Sequence, residues 1–115
     1  HTMGDGFTWD TKNPEQDRAT TRATWSLCID KMRSGDYDML VFDELVYVLS
    51  YNMLPVEEVL LELREVRATQ PALHIVVTGR DAPPGLIQAA DLVTEMRDIK
   101  HPFNTGIRAQ QGIEF

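Results

Sequence analysis

The chain has little cysteine, no long apolar run and no excess of positive charge. Cys28 is the only cysteine among the 115 residues. This excludes an internal disulfide and is compatible with a reducing cytoplasm, the expected location. No apolar run approaches the roughly 20 residues of a membrane span, and nothing resembles a signal peptide. The formal net charge of −7 argues against nucleic acid as a partner.

Several motifs that carry chemistry are also missing from the sequence. His1, His74 and His101 do not have the spacing of zinc ligands. The sequence contains no Ser/His/Asp or Cys/His pattern of a nucleophilic enzyme. The phosphate-loop pattern Gly-x-x-x-x-Gly-Lys-Ser/Thr does not occur either. We therefore predict no zinc site and no protein nucleophile, and we expect these 115 residues alone not to bind ATP usefully.

What the sequence does contain predicts one α/β domain. Hydrophobic residues make up 43% of the chain and charged residues 25%, which is enough apolar material for a core. Asn13, Pro14 and Gln16 form a helix start with capping-box spacing, and we predict a helix from about Pro14 to Arg33. Its apolar residues predict one buried stripe: Ala19, Ala23, Trp25, Leu27, Cys28 and Met32.

Helices and short apolar runs alternate along the rest of the chain. The run from Tyr37 to Phe42 is bounded by acids, which favours a central parallel strand with both faces covered. Further strands are predicted at Leu73–Val77 and Leu92–Met96. Further helices are predicted at Leu54–Arg67 and Pro83–Ala90, and Leu45–Tyr51 is predicted as a short helix or a turn. This alternation predicts a parallel sheet with crossover helices. Three strands make a small sheet, so we expect an N-terminal part to be missing.

Two segments follow predicted strands and could carry chemistry. Asp43-Glu44 closes the first strand, where a carboxylate could hold Mg²⁺ on a triphosphate. The alternative is that these acids only cap the next helix. Arg80 follows the second strand in Thr78-Gly79-Arg80 and would reach the ligand crevice at the carboxyl ends of the strands. The alternative is that Arg80 is an ordinary surface arginine.

Two other segments are informative mainly in combination. Phe7 and Trp9 lie on a loop with Gly4 and Gly6, which suits a movable lid over a flat apolar ligand. They could instead staple the loop to the helix that follows. The segment Lys100-His101-Pro102-Phe103 indicates little by itself.

Together these segments resemble one enzyme family over essentially the whole chain. Four strings occur in order: Gly-Phe-Thr-Trp-Asp-Thr, Asp-Glu-Leu, Val-Thr-Gly-Arg, and a last one that joins Val-Thr-Glu-Met-Arg, Lys-His-Pro-Phe and Gly-Ile-Arg-Ala-Gln-Gln-Gly-Ile-Glu-Phe. This combination resembles the ATP:corrinoid adenosyltransferases of the BtuR/CobA/CobO type. The resemblance implies a P-loop NTPase-like (RecA-like) three-layer domain, of which residues 1–115 would be the C-terminal two-thirds.

The resemblance also implies an activity and a set of roles. Such enzymes transfer the 5′-deoxyadenosyl group of ATP to the Co(I) of a cobalamin- or cobinamide-type corrinoid and release triphosphate, in cobalamin biosynthesis or salvage. By position, Phe7 and Trp9 match the lid on the lower axial face of the corrinoid, and Glu44 with Asp43 matches the Mg²⁺ or Mn²⁺ site. Further matches near the nucleotide are Arg80, Lys100 and His101. A homodimer and an electron-donating flavoprotein partner are implied as well.

Two other functions stay open from the sequence alone. One is a catalytically incompetent fragment that binds a corrinoid or a partner, because the phosphate loop of the family is not present in the sequence. The other is a fragment of a generic P-loop ATPase. An ordinary ATPase does not need two large rings on the loop that carries Phe7 and Trp9.

Overall fold

The structure is a computed structural model that describes residues 13–112. Its element order is the one that the sequence predicts up to the last strand. The elements are α1 (Pro14–Arg33), β1 (Met39–Phe42), α2 (Leu45–Ser50), α3 (Val56–Thr69), β2 (His74–Val77), α4 (Pro84–Ala89) and a final 3-10 turn (Pro102–Thr105). None of the helices among these residues is both long and apolar enough to cross a membrane.

Helix α1 begins and ends where the sequence predicts. The side chain of Asn13 accepts a hydrogen bond from the backbone N–H of Gln16 (3.2 Å), which satisfies one of the free donors at the helix start. The predicted stripe is only partly right. Trp25 and Met32 are buried, whereas Ala19 and Ala23 are exposed. Ala23 lies two residues before Trp25, which places it on nearly the opposite side of a helix with 3.6 residues per turn.

The two strands form a small parallel sheet. β1 pairs with β2 in the register Met39↔His74 to Phe42↔Val77. Alternate side chains point to opposite faces, and burial alternates accordingly along both strands. On one face, Leu40, Phe42, Ile75 and Val77 pack against the helices.

The other face of the sheet is open among the described residues. It carries Met39 and Val41, which are 57% and 56% exposed, together with His74 and Val76. The prediction that β1 has both faces covered is therefore wrong for residues 13–112. The buried side chains of the helices pack in one cluster with the inner face of the sheet, which leaves the outer face uncovered in this part of the chain. The α/β class with a parallel sheet is confirmed, and the three-layer P-loop-like arrangement stays a prediction.

The predicted third strand, Leu92–Met96, is not formed. The segment has no regular structure, and Leu92 and Met96 are 83% and 93% exposed. A strand is stable only when its backbone groups pair with a neighbour. The sheet within the described part of the chain has the order β1-β2 only, so this segment has no strand beside it.

The core lies between the inner face of the sheet and the helices. Its buried members are Trp25, Met32, Leu45, Val46, Leu49, Leu54, Val59, Leu60, Val66 and Leu86. Ion pairs join α1 to α3 at the surface: Arg22 binds Glu58 (2.6 Å), and Arg33 binds Glu62 and Glu65 (2.7 and 2.8 Å). Exposed pairs of this kind contribute at most about 1 kcal/mol each, so the apolar core dominates stability.

Candidate functional site

The loops that follow β1 and β2 meet at one edge of the sheet. Because the strands are parallel and Phe42 is in register with Val77, the next residues, Asp43 and Thr78, lie side by side. The backbone N–H of Thr78 donates to the carbonyl of Phe42 (3.1 Å), which extends the ladder by one residue. The carboxyl ends of parallel strands are where α/β domains bind their ligands.

A single hydroxyl group links the two loops. Thr78 Oγ1 donates a hydrogen bond to Asp43 Oδ1 (2.6 Å) and accepts one from the backbone N–H of Glu44 (3.0 Å). A hydroxyl group can donate once and accept twice, so both bonds form together. The short O–H···O⁻ distance is typical of a charge-assisted hydrogen bond.

Glu44 has an unusual backbone conformation for a residue with a side chain. Its φ is +58° and its ψ +23°, in the left-handed region. Such a conformation costs on the order of 1–3 kcal/mol and is concentrated at functional sites. Glu44 precedes α2, yet its side chain makes no capping hydrogen bond. Glu44 therefore occupies the N-cap position of α2, but the side-chain capping that the alternative predicts is not formed by this residue.

The loop after β2 also has an unusual backbone. Gly79 has a φ of +148° and Asp81 a φ of +58°. A Cβ atom on Gly79 would lie 2.9 Å from Val46 Cγ2 and closer still to Val46 Cβ. The backbone N–H of Val46 donates to the carbonyl of Thr78 (3.4 Å). Close contact with the start of α2 thus fixes the position of this loop.

The carboxylates of Asp43 and Glu44 are both exposed at this edge. Among residues 13–112, no hydrogen bond or ion pair engages the Glu44 carboxylate, and no three His, Cys, Asp or Glu side chains cluster as a metal site. Mg²⁺ usually takes only one or two carboxylates from a protein and completes its shell with water and substrate phosphates. The two carboxylates therefore fit Mg²⁺ on a phosphate ligand better than a site made entirely of protein groups.

The other predicted site residues are placed separately. Arg80 is exposed on the loop after β2, two residues beyond Thr78. Lys100 and His101 are exposed near the final 3-10 turn, where His101 Nδ1 accepts a hydrogen bond from the backbone N–H of Phe103 (3.1 Å). Within the described part of the chain, no hydrogen bond links Lys100 or His101 to the strand ends. Their roles at the nucleotide stay predictions.

The two aromatic residues of the predicted lid, Phe7 and Trp9, lie outside the described residues. Their predicted contact with the lower face of a corrinoid therefore stays a prediction. Helix α1 begins at Pro14, after these residues in the sequence.

Comparison with known proteins decides the family. A family model described as ATP:corrinoid adenosyltransferase BtuR/CobO/CobP matches residues 1–115. The chain belongs to this family. The resemblance drawn from the sequence is thereby confirmed.

Curated relatives agree with this assignment. The corrinoid adenosyltransferase of Pseudomonas aeruginosa is 44% identical over 115 residues, which are 100% of this chain and 55% of the relative. That of a Sinorhizobium species is 43% identical over the whole chain, which covers 53% of it. That of Escherichia coli is 39% identical over 113 residues, 98% of this chain and 56% of the relative. The chain thus spans about half the length of the relatives.

Sequence reasoning missed Thr78 as a member of the site. The sequence points to Arg80 in the segment Thr78-Gly79-Arg80, because a residue that follows a strand reaches the crevice at the carboxyl ends of the strands. The signal for Thr78 was its position directly after a parallel strand, beside the predicted position of Asp43. The structure shows that this threonine, rather than Arg80, hydrogen-bonds to the acidic pair.

Proposed function

We propose that this chain is part of an enzyme that transfers the 5′-deoxyadenosyl group of ATP to the Co(I) centre of a corrinoid. The observation that carries the proposal is the position of Asp43 and Glu44, which follow β1 at the carboxyl ends of the strands in a chain that belongs to the corrinoid adenosyltransferase family. Thr78 holds Asp43, while the carboxylate of Glu44 stays available to a ligand.

The proposed reaction is a displacement at the C5′ carbon of ATP. The electron pair of Co(I) forms the cobalt–carbon bond while the bond from C5′ to the triphosphate oxygen breaks, and triphosphate leaves. Since the reduced cobalt is itself the nucleophile, the protein needs neither a nucleophilic side chain nor a general base. The role of the protein is to position the two substrates and to stabilise the leaving group.

Asp43 and Glu44 would hold Mg²⁺ or Mn²⁺ at the phosphates. When bound, the metal would neutralise charge on the leaving triphosphate. The contribution of the chain is geometric. Thr78 orients the Asp43 carboxylate, and the left-handed backbone of Glu44 turns the chain at the strand end. We include Arg80 and Lys100 in the nucleotide site as additional positive groups that would face an anionic ligand, and His101 as a polar neighbour.

Phe7 and Trp9 would act on the other substrate. In this proposal their rings displace the lower axial ligand of the corrinoid and leave a four-coordinate Co(II), which accepts an electron more readily. An electron-donating flavoprotein would supply that electron. We further propose that residues 1–115 are the C-terminal two-thirds of a P-loop-like domain that acts as a homodimer in the cytoplasm.

Product analysis of the complete adenosyltransferase chain tests the proposal. The chain is incubated with Mg-ATP and chemically reduced cob(I)alamin, and cobalt species and nucleotides are identified. Adenosylcobalamin with an equal amount of triphosphate is the expected result. ADP and phosphate without a cobalt–carbon bond would overturn the proposal in favour of an ATPase. A change in the cobalt spectrum without turnover would overturn it in favour of a corrinoid-binding protein.

The predicted lid is tested in the same assay with Trp9→Ala. We expect ATP affinity to change little and adenosyl transfer to slow, because the ring acts on the corrinoid and not on the nucleotide. Tyr51→Ala serves as the matched control, since Tyr51 is an exposed aromatic residue outside the proposed site. An unchanged rate with Trp9→Ala would contradict the lid.

A further inference from the structure

We propose that Thr78 is the positioning residue of the strand-end site, which fixes the Asp43 carboxylate and the backbone of Glu44 for a metal ion. This inference rests on the proposed function, because it assigns a role within the same site. It starts from the hydroxyl of Thr78, which binds the side chain of one acid and the backbone of the next.

The two hydrogen bonds constrain different properties of the acidic pair. The bond to Asp43 Oδ1 orients that carboxylate and leaves its other oxygen for a ligand. The bond from the Glu44 N–H stabilises the residue in its left-handed conformation, at a φ of +58°. A residue that holds ligand groups in this way typically changes metal affinity by about 10–100-fold when it is removed.

Thr78 itself is held from both sides by its backbone. Its N–H donates to the carbonyl of Phe42 (3.1 Å), and its carbonyl accepts from the N–H of Val46 (3.4 Å). The contact between Gly79 and Val46 keeps the loop in place. None of these three interactions uses the hydroxyl. Replacing Thr78 by Val, which has nearly the same shape, therefore removes the two bonds to the acids and leaves the loop attached.

The test compares matched variants of the chain. Thr78→Val removes the hydroxyl, and Thr78→Ser retains it. Thr24→Val is the control, since Thr24 Oγ1 donates only to the carbonyl of Thr20 within α1 (2.8 Å). Mn²⁺ is titrated into ¹⁵N-labelled protein while the broadening of the Asp43 and Glu44 amide signals is followed. Hydrogen exchange of the Glu44 amide is measured on the same samples without metal.

We expect Thr78→Val to weaken Mn²⁺ binding at these signals by about tenfold or more and to speed Glu44 exchange. Thr78→Ser should restore both properties to near the wild-type values, and Thr24→Val should change neither. Wild-type values in Thr78→Val would overturn the inference. If Mn²⁺ broadens no signal near Asp43 in the wild type even after inorganic triphosphate is added, the metal site of the proposed function fails. The hydrogen-exchange rate of the Glu44 amide in Thr78→Val then still decides whether the Thr78 hydroxyl holds the backbone of Glu44.

Discussion

Replacing Gly79 by Ala should destabilise the chain more than replacing Gly35 by Ala. Two costs add at this position. The φ of +148° is one that residues with side chains rarely adopt, and such a conformation costs about 1–3 kcal/mol. The new methyl group would also lie 2.9 Å from Val46 Cγ2 and 3.2 Å from Val46 Cα, and overpacking of this kind costs about 1–3 kcal/mol. The sum is about 2–6 kcal/mol, against a total stability of about 5–15 kcal/mol for a small domain.

Urea unfolding followed by circular dichroism measures this loss as a lower midpoint with an unchanged slope. Gly35→Ala is the matched control. Gly35 also has a positive φ, +76°, but nothing lies within 4 Å of the position of its Cβ. Its loss should therefore be limited to the backbone cost of about 1–2 kcal/mol. Equal losses for the two variants would refute the close contact between Gly79 and Val46.

Three further predictions concern the core and the surface. Burial raises the pKa of the Cys28 thiol, so its thiolate fraction is low at pH 8. Ellman's reagent should therefore react with Cys28 more slowly in the folded chain than in the urea-unfolded chain. Equal rates would contradict the burial of Cys28. The stabilisation linked to the neutral thiol is present below the unfolded-state pKa and is lost as pH rises through the higher folded-state pKa. Trp25 is 3% exposed, and its ring meets that of Phe42 edge-on with 6.1 Å between the ring centroids. Trp25→Ala should therefore lower the free energy of unfolding, measured in urea, by about 3–5 kcal/mol. A loss below about 1 kcal/mol would place Trp25 outside the core. Arg22→Ala breaks the exposed ion pair with Glu58 and should lower the free energy of unfolding by at most about 1 kcal/mol, and by less in high salt. A larger loss that does not depend on salt would contradict the weak, solvent-exposed character of this pair.

The parts of the fold that could be predicted from the sequence depend on local signals. The bounds of α1 follow from Asn13 and Pro14 at its start and from Ser34-Gly35 after its end. The two strands follow from short apolar runs bounded by polar residues, and the position of Asp43-Glu44 follows from the end of the first strand. In each case the physical cause lies within a few residues of the feature.

The parts that could not be predicted depend on distant partners. Leu92–Met96 has the composition of a strand, but composition does not show whether a neighbouring strand is present to pair with it. The open outer face of β1 has the same cause, because covering it requires another layer. Thr78 and Asp43 are separated by 35 positions in the sequence, so their hydrogen bond becomes visible only once the strands are paired.

The proposed metal site is tested most directly by the Mg²⁺ dependence of adenosyl transfer by Glu44→Gln in the complete chain. This change keeps the shape of the side chain and removes the charge that would hold the metal. The matched control is Glu57→Gln, since Glu57 is an exposed acid in the first turn of α3. We expect Glu44→Gln to lower the rate by at least about tenfold and to need more Mg²⁺ for half-maximal activity, while Glu57→Gln behaves as the wild type. A Glu44→Gln enzyme with the wild-type rate and Mg²⁺ requirement would contradict the proposed metal site.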